Sequence, residues 1–202
     1  MKKIILTIAL FISVITISSA QFTIGPKAGL NLAKEYFGET VFDDNVEFKQ
    51  GLNIGVFGKY MMNDKLGIQA ELLYSQQGYK SNIQLFDFGG NITQNGYKRS
   101  SHYLNIPVVL KYYPLKRIFI ESGPQVGYCF KSKLSPGEYT DEISNMEYKT
   151  IDFSLVGGVG IDIGYGLNVS ARYNHGLTHT LPNSDLKNRV FQFSLTYDLL
   201  DF

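Results

Sequence analysis

The sequence has one cysteine, Cys129, no tryptophan and three histidines in 202 residues. A single cysteine excludes an intramolecular disulfide framework. No local motif supplies a base for a nucleophilic thiol, so Cys129 reads as a small apolar strand residue. A metal site would need the histidines, His102, His175 and His179, to converge with a carboxylate. They read as separate loop and rim residues, and no motif calls for a cofactor. Charge of one sign is also lacking. Lys and Arg total 19 against 18 Asp and Glu, a net charge of +1, and nothing in that balance suggests nucleic acid, which calls for a basic face. The glycine-rich "VGGVGIDIG" is not a dinucleotide fingerprint. Ile163 stands where the third glycine would sit, and no helical pattern follows. Its glycines read as strand residues that relieve crowding.

Long apolar runs are absent beyond residue 20. "MKKIILTIALFISVITISSA" reads as a signal peptide. Lys2 and Lys3 form the positive start, Ile4 to Ile17 the apolar core, and Ser18-Ser19-Ala20 the small residues before cleavage between Ala20 and Gln21. The apolar core is short for a spanning helix, which takes about 20 residues. Gln21, not a cysteine, stands directly after the cleavage point, so no lipid anchor is expected. Without Lys2 and Lys3 the chain has 17 basic and 18 acidic residues, a charge of −1. An exported chain without a membrane helix can still enter a membrane as a closed barrel, which also satisfies every backbone group internally.

What is abundant fits that answer. There are 14 Tyr, 14 Phe and 20 Gly, a composition that favours strands over helices. "HYLNIPVVLKYYP", residues 102–114, puts Leu104, Ile106, Val108, Leu110 and Tyr112 on one face. Asn105, Pro107, Val109 and Lys111 fall on the other. The same period of two recurs in seven more segments, beginning "FTIGPKAGLNLA", "QGLNIGVFGKY", "KLGIQAELLYSQQ", "IFIESGPQVGYCF", "IDFSLVGGVGIDIG", "GLNVSARYNHGL" and "RVFQFSLTYDLL". Each runs for about 10 to 14 residues, enough to cross a bilayer as a tilted strand. The connections alternate. Roughly 34–49, 79–96, 131–149 and 178–188 are long and polar, whereas 61–64, 114–116 and 164–166 are short.

The pattern predicts an all-β fold: an eight-stranded antiparallel up-and-down transmembrane β-barrel spanning residues 21–202. Short turns and both termini face the periplasm, and four long loops face outward. The second face of each strand then lines the lumen. Its charged members are Lys27, Lys59, Glu71, Lys111, Glu121, Asp152, Asp162, Arg172 and Asp198. Four cations against five anions predict mutual pairing in a filled interior, since eight strands enclose little more than side chains. No open pore is expected. On the lipid face, Tyr60, Tyr112 and Tyr197 lie near the periplasmic ends. Tyr74, Tyr128, Tyr173 and Phe191 lie near the outer ends, giving two interfacial aromatic girdles. Phe202 has the opposite parity to Phe193, Leu195 and Tyr197, so Leu199 is the alternative end of the lipid face.

"FTIGPKAGLNLA" after the leader, "YLNIPVVLKYYP", "FIESGPQVGY" and "VGGVGIDIGYGLNVSARYNHGL" resemble the small outer-membrane β-barrel proteins of Bacteroidetes grouped as PorT-like. The resemblance covers nearly all of the chain after residue 20. It implies an outer-membrane location in a Gram-negative bacterium and an accessory role in protein export. The expected partners are outer-membrane lipid, envelope proteins and the barrel-assembly machinery during biogenesis. Non-enzymatic binding or scaffolding is the leading function, with surface adhesion or membrane integrity as variants. A lipid-modifying enzyme is the alternative, with His175, Ser100 or Ser101, and Glu121 as its members. A soluble β-sandwich or ligand-binding barrel is the structural fallback. The acidic loop "YFGETVFDDNVEF" offers Asp43, Asp44 and Glu47 to a cation or partner, or is simply a solvated loop.

Overall fold

The computed structural model describes residues 22–36, 46–86, 92–136, 150–180 and 186–201. The proposed cleavage pair Ala20 and Gln21, the loop acids Asp43 and Asp44, and Phe202 lie outside them. Among the described residues there are eight long strands and no helix. They are β1 (Phe22–Tyr36), β2 (Val46–Asn63), β3 (Leu66–Phe86), β4 (Ile92–Leu115), β5 (Ile118–Pro136), β6 (Ile151–Gly164), β7 (Leu167–Gly176) and β8 (Lys187–Tyr197). A two-residue β9 (Leu200–Asp201) follows. Every strand pairs antiparallel with its neighbour in sequence, and β8 pairs with β1. The sheet therefore closes into an up-and-down barrel, and closure leaves no edge within the ring.

Alternation explains why these segments close this way. Along β4, Leu104, Ile106, Val108 and Leu110 point outward while Asn105, Pro107 and Val109 point inward and are buried. Because the polar face is turned into the closed ring, the apolar face is left on the outside of the barrel. In a bilayer that face meets lipid. Pro107 has no N–H to give. The β3–β4 ladder skips it, passing from Ala70↔Val108 directly to Leu73↔Asn105 with the register kept.

Three hairpins end in two-residue turns, Asp64-Lys65, Lys116-Arg117 and Tyr165-Gly166. In the last, Tyr165 (φ 55°) and Gly166 (φ 79°) both adopt the left-handed backbone, as a type I′ hairpin turn requires. The other end of the barrel differs from expectation. The strands continue well into segments read from sequence as loops. β1 reaches Tyr36, β3 reaches Phe86, β4 starts at Ile92 and β5 reaches Pro136. Register shifts at Phe48/Asn53, Ser81/Gln84 and His102/Tyr103 break the period of two there, which hid these extensions from a parity reading.

A one-residue shift also follows β8. β1 pairs Lys27↔Thr196 in β8 but Thr23↔Asp201 in β9. Parity is thereby reversed after Asp198. Leu199 and Leu200 both lie on the outside, and Leu200 opposes Ile24.

Candidate functional site: the charged lumen and the loop-end rim

The lumen is built from residues that strict alternation turns inward. At the turn end, Lys59 Nζ donates to Asp198 Oδ2 at 2.8 Å. Above it, Phe119 is buried in the lumen, with Tyr113 5.4 Å away and Lys111 Nζ 4.0 Å over its ring. Lys111 also pairs with Glu121 at 3.7 Å.

The centre is one shared ion cluster. Arg172 on β7 donates to Glu71 on β3 at 2.9 and 2.6 Å, and to both carboxylate oxygens of Glu121 on β5. Lys27 on β1 donates to Glu71 at 2.9 and 3.2 Å. Gln69 donates to Glu71 from two residues away. These side chains are virtually inaccessible, at 0–2% of their surface for Lys27, Glu71, Glu121 and Arg172. Buried charges persist only when paired and hydrogen-bonded, and here each carboxylate accepts from more than one donor.

A neutral layer follows. Asn31 donates to Ser75 at 2.9 Å, Asn53 donates to Asn31 at 3.0 Å, and Ser194 donates to Asn53 at 3.1 Å. Toward the loop end, Asp152 accepts from Thr178 and from Asn188, and Asn188 also donates to Tyr103 at 3.2 Å. Arg99 Nη1 meets Glu35 Oε2 at 3.1 Å. Burial holds the Glu35 carboxyl above the ordinary carboxylate range, with Arg99 opposing.

Of the nine charged residues expected in the lumen, the structure brings Lys27, Glu71, Lys111, Glu121 and Arg172 into the central cluster. Lys59 pairs with Asp198, and Asp152 is held by neutral donors. Asp162 does not join them. Its Oδ1 accepts from the N–H of Gly164 at 2.7 Å and braces the last hairpin turn. Glu35, Arg99 and Lys49 were missed, because they lie in or beside segments read as loops. Lys49 is buried and donates to the Gln77 carbonyl at 3.2 Å. The apolar plugs Phe57, Leu73, Val109, Phe119 and Val156 also face inward and are buried. The lumen is therefore packed as well as paired.

The tyrosines named for the girdles fall into rows. Tyr74, Leu104, Tyr128 and Ile151 form one continuous cross-strand row near the loop end, and Tyr173 opposes Phe191. At the turn end Tyr60 opposes Phe22 and Ile68, Tyr112 opposes Leu66 and Ile120, and Tyr197 opposes Leu167. Tyr60 is half-buried, whereas Tyr112 and Tyr197 are exposed.

The residues named for a lipid-modifying enzyme do not meet. Glu121 is locked to Arg172 and Lys111 inside the barrel. His175 lies on the outer face beside Tyr173. Ser101 faces inward and bonds Ser132, while Ser100 has the outward parity. His102 is held apart from His175, with its Nδ1 2.7 Å from the Tyr74 hydroxyl. Among the described residues no cluster of His, Cys, Asp and Glu could hold a metal.

No curated protein sequence matches the chain. Solved barrels match its fold. Ail, the attachment invasion locus protein of Yersinia pestis, is 13% identical with a TM-score of 0.50, covering 92% of this chain and 100% of Ail. Neisserial surface protein A is 11% identical with a TM-score of 0.56, covering 90% of this chain and 100% of that protein. OprG from Pseudomonas aeruginosa is 13% identical with a TM-score of 0.50, covering 91% and 96%. At these identities the likeness is one of fold. Residues 18–181 match the family model of the outer membrane protein beta-barrel domain. The chain belongs to that family, as an integral β-barrel of the outer membrane.

Proposed function

We propose that the protein is a non-enzymatic, non-conducting barrel that works as a binding or scaffolding component of the envelope. The observation that carries this reading is the central cluster. Arg172, Glu71 and Glu121 bridge the lumen from three strands, with Lys27 and Lys111 beside them. A plugged lumen leaves the rims and outer walls as the working surfaces. β3, β4 and β5 run for 21, 24 and 19 residues, where about 9–11 cross the bilayer. The surplus raises a stiff wall beyond the loop-end tyrosine row, suited to holding a partner.

Within this reading the chain is a PorT-like barrel of Bacteroidetes type, and its role is accessory to protein export. Residues 1–20 direct export and are removed between Ala20 and Gln21. The tyrosine rows act as the two interfacial girdles. Barrel-assembly machinery inserts the chain. The experiment compares secreted and surface proteins of wild-type and deletion strains, with envelope leakage followed in the same cultures. Selective loss of a set of exported proteins without leakage supports the export role. An unchanged set of exported proteins removes that role and leaves surface binding.

A further inference from the structure

The outward face changes character one rung past the row Tyr74–Leu104–Tyr128. Lys131 opposes His102 on the first rung, and Lys133 opposes Ser100 on the second. Lys98 opposes both Lys80 and Ser135 on the third. These four lysines share one wall, on β3, β4 and β5. The charged groups acting on His102 are Lys49, Lys131 and Lys133, and those acting on Lys49 are Lys98 and Lys80; all are cations. The far side of the barrel repeats the theme. His175, on the outer face of β7, has Arg189 and Lys187 as its charged neighbours. Glu47, opposite Lys80, is the outward-facing acid on the wall among the described residues.

Height and continuity select the occupant. Each rung adds about 6–7 Å along a strand, so strands tilted by about 40° place the lysines roughly 5, 10 and 15 Å above the tyrosine row. A phospholipid headgroup layer is only about 5–8 Å deep. Directly below the lysines the same wall is lipid-facing, with Leu104, Ile106 and Tyr128 exposed. A ligand that fits both halves has acyl chains and a tall headgroup carrying several phosphates.

We propose that Lys80, Lys98, Lys131 and Lys133 form a binding surface for a multiply phosphorylated glycolipid of the outer leaflet. Its acyl chains lie along the Leu104–Tyr128 strip. Its phosphates meet the ammonium groups, whose aliphatic stems let them reach up or down to the charge. A basic side chain near an anionic lipid surface contributes roughly fivefold in affinity.

The test uses the full chain refolded in phosphatidylcholine vesicles doped with a rough lipopolysaccharide that carries phosphates on lipid A and on its core sugars. The folded barrel is extracted in mild detergent and the co-retained glycolipid is measured. Wild type is compared with Lys80→Gln/Lys98→Gln/Lys131→Gln/Lys133→Gln, and with a turn-end control, Lys65→Gln/Lys116→Gln/Arg117→Gln. Should the fourfold variant refold poorly, Lys131→Gln/Lys133→Gln takes its place. The expected result is a loss of at least about tenfold in retained glycolipid for the wall variant, little change for the control, and weak retention of the dephosphorylated glycolipid by wild type. Equal retention by wild type and wall variant overturns the proposal. So does equal retention of phosphatidylglycerol, which assigns the wall to ordinary anionic lipid. Displacement of the glycolipid by soluble inositol hexakisphosphate at equal affinity also overturns it, by assigning the wall to a soluble polyanion.

Discussion

Arg172 and Glu71 face each other from opposite walls of the barrel. β7 and β3 lie four strands apart in a ring of eight, yet the guanidinium reaches the carboxylate with two hydrogen bonds, at 2.9 and 2.6 Å. The pair therefore spans the lumen from wall to wall. The same guanidinium also holds Glu121. Arg suits this place better than Lys, because its planar fork presents several donors at fixed angles to two carboxylates.

Removing that fork leaves two buried carboxylates with Lys27 and Lys111 as their remaining cations. Arg172→Met is expected to lower the folding free energy in lipid vesicles by about 3–5 kcal/mol, read by urea titration. A change below about 1 kcal/mol would mean that the lysines and water replace the guanidinium at no loss.

The lipid face has its own probe in Val108. It sits midway between Tyr112 and Leu104 on β4 and is outward and exposed. Val108→Arg is expected to cost about 2–4 kcal/mol in the same titration, as a cation at the bilayer midplane does. Unchanged stability would place Val108 away from lipid.

Gly160 on β6 carries a packing constraint. A Cβ there would overlap the ring of Phe119, which is itself hemmed in by Tyr113 and Lys111. Gly160→Ala is expected to cost about 1–3 kcal/mol through overpacking, and Phe119→Leu in the same chain is expected to recover part of it. Gly160→Ala with full stability would show that the ring moves freely.

Glu35 lies three residues past Leu32, toward the loop end, paired with Arg99. Its raised pKa means that the folded state keeps a proton which the unfolded state releases. Stability is therefore full below the ordinary glutamate value and falls as pH rises through the folded value. The urea midpoint of wild type is expected to drop across that window more than that of Glu35→Gln. Parallel pH profiles for the two proteins would refute the assignment.

Most of this architecture is legible from the period of two. It separates Lys27, Glu71, Lys111, Glu121 and Arg172 from the lipid face, and it counts eight strands. Parity does not say which inward residues meet. That depends on register around a closed ring, and Arg172 and Glu71 are 101 positions apart. Asp162 shows the limit, since its parity is inward but its turn's N–H claims it first. The loop-end wall was hidden for a different reason. Past Gln76, β3 runs through Gln77, Gly78, Lys80 and Ser81, and bulges shift the register, so no apolar stripe marks where the strand continues. Glu35 and Arg99 were lost with it.

The central claim is a lumen closed by its own side chains, and conductance across a planar bilayer tests it most directly. Purified wild-type barrel, inserted and shown to be folded, is predicted to give no steady single-channel steps. Steady open-channel current from the wild-type barrel would contradict the account, because ions would then be passing the cluster with which Arg172, Glu71 and Glu121 bridge the lumen.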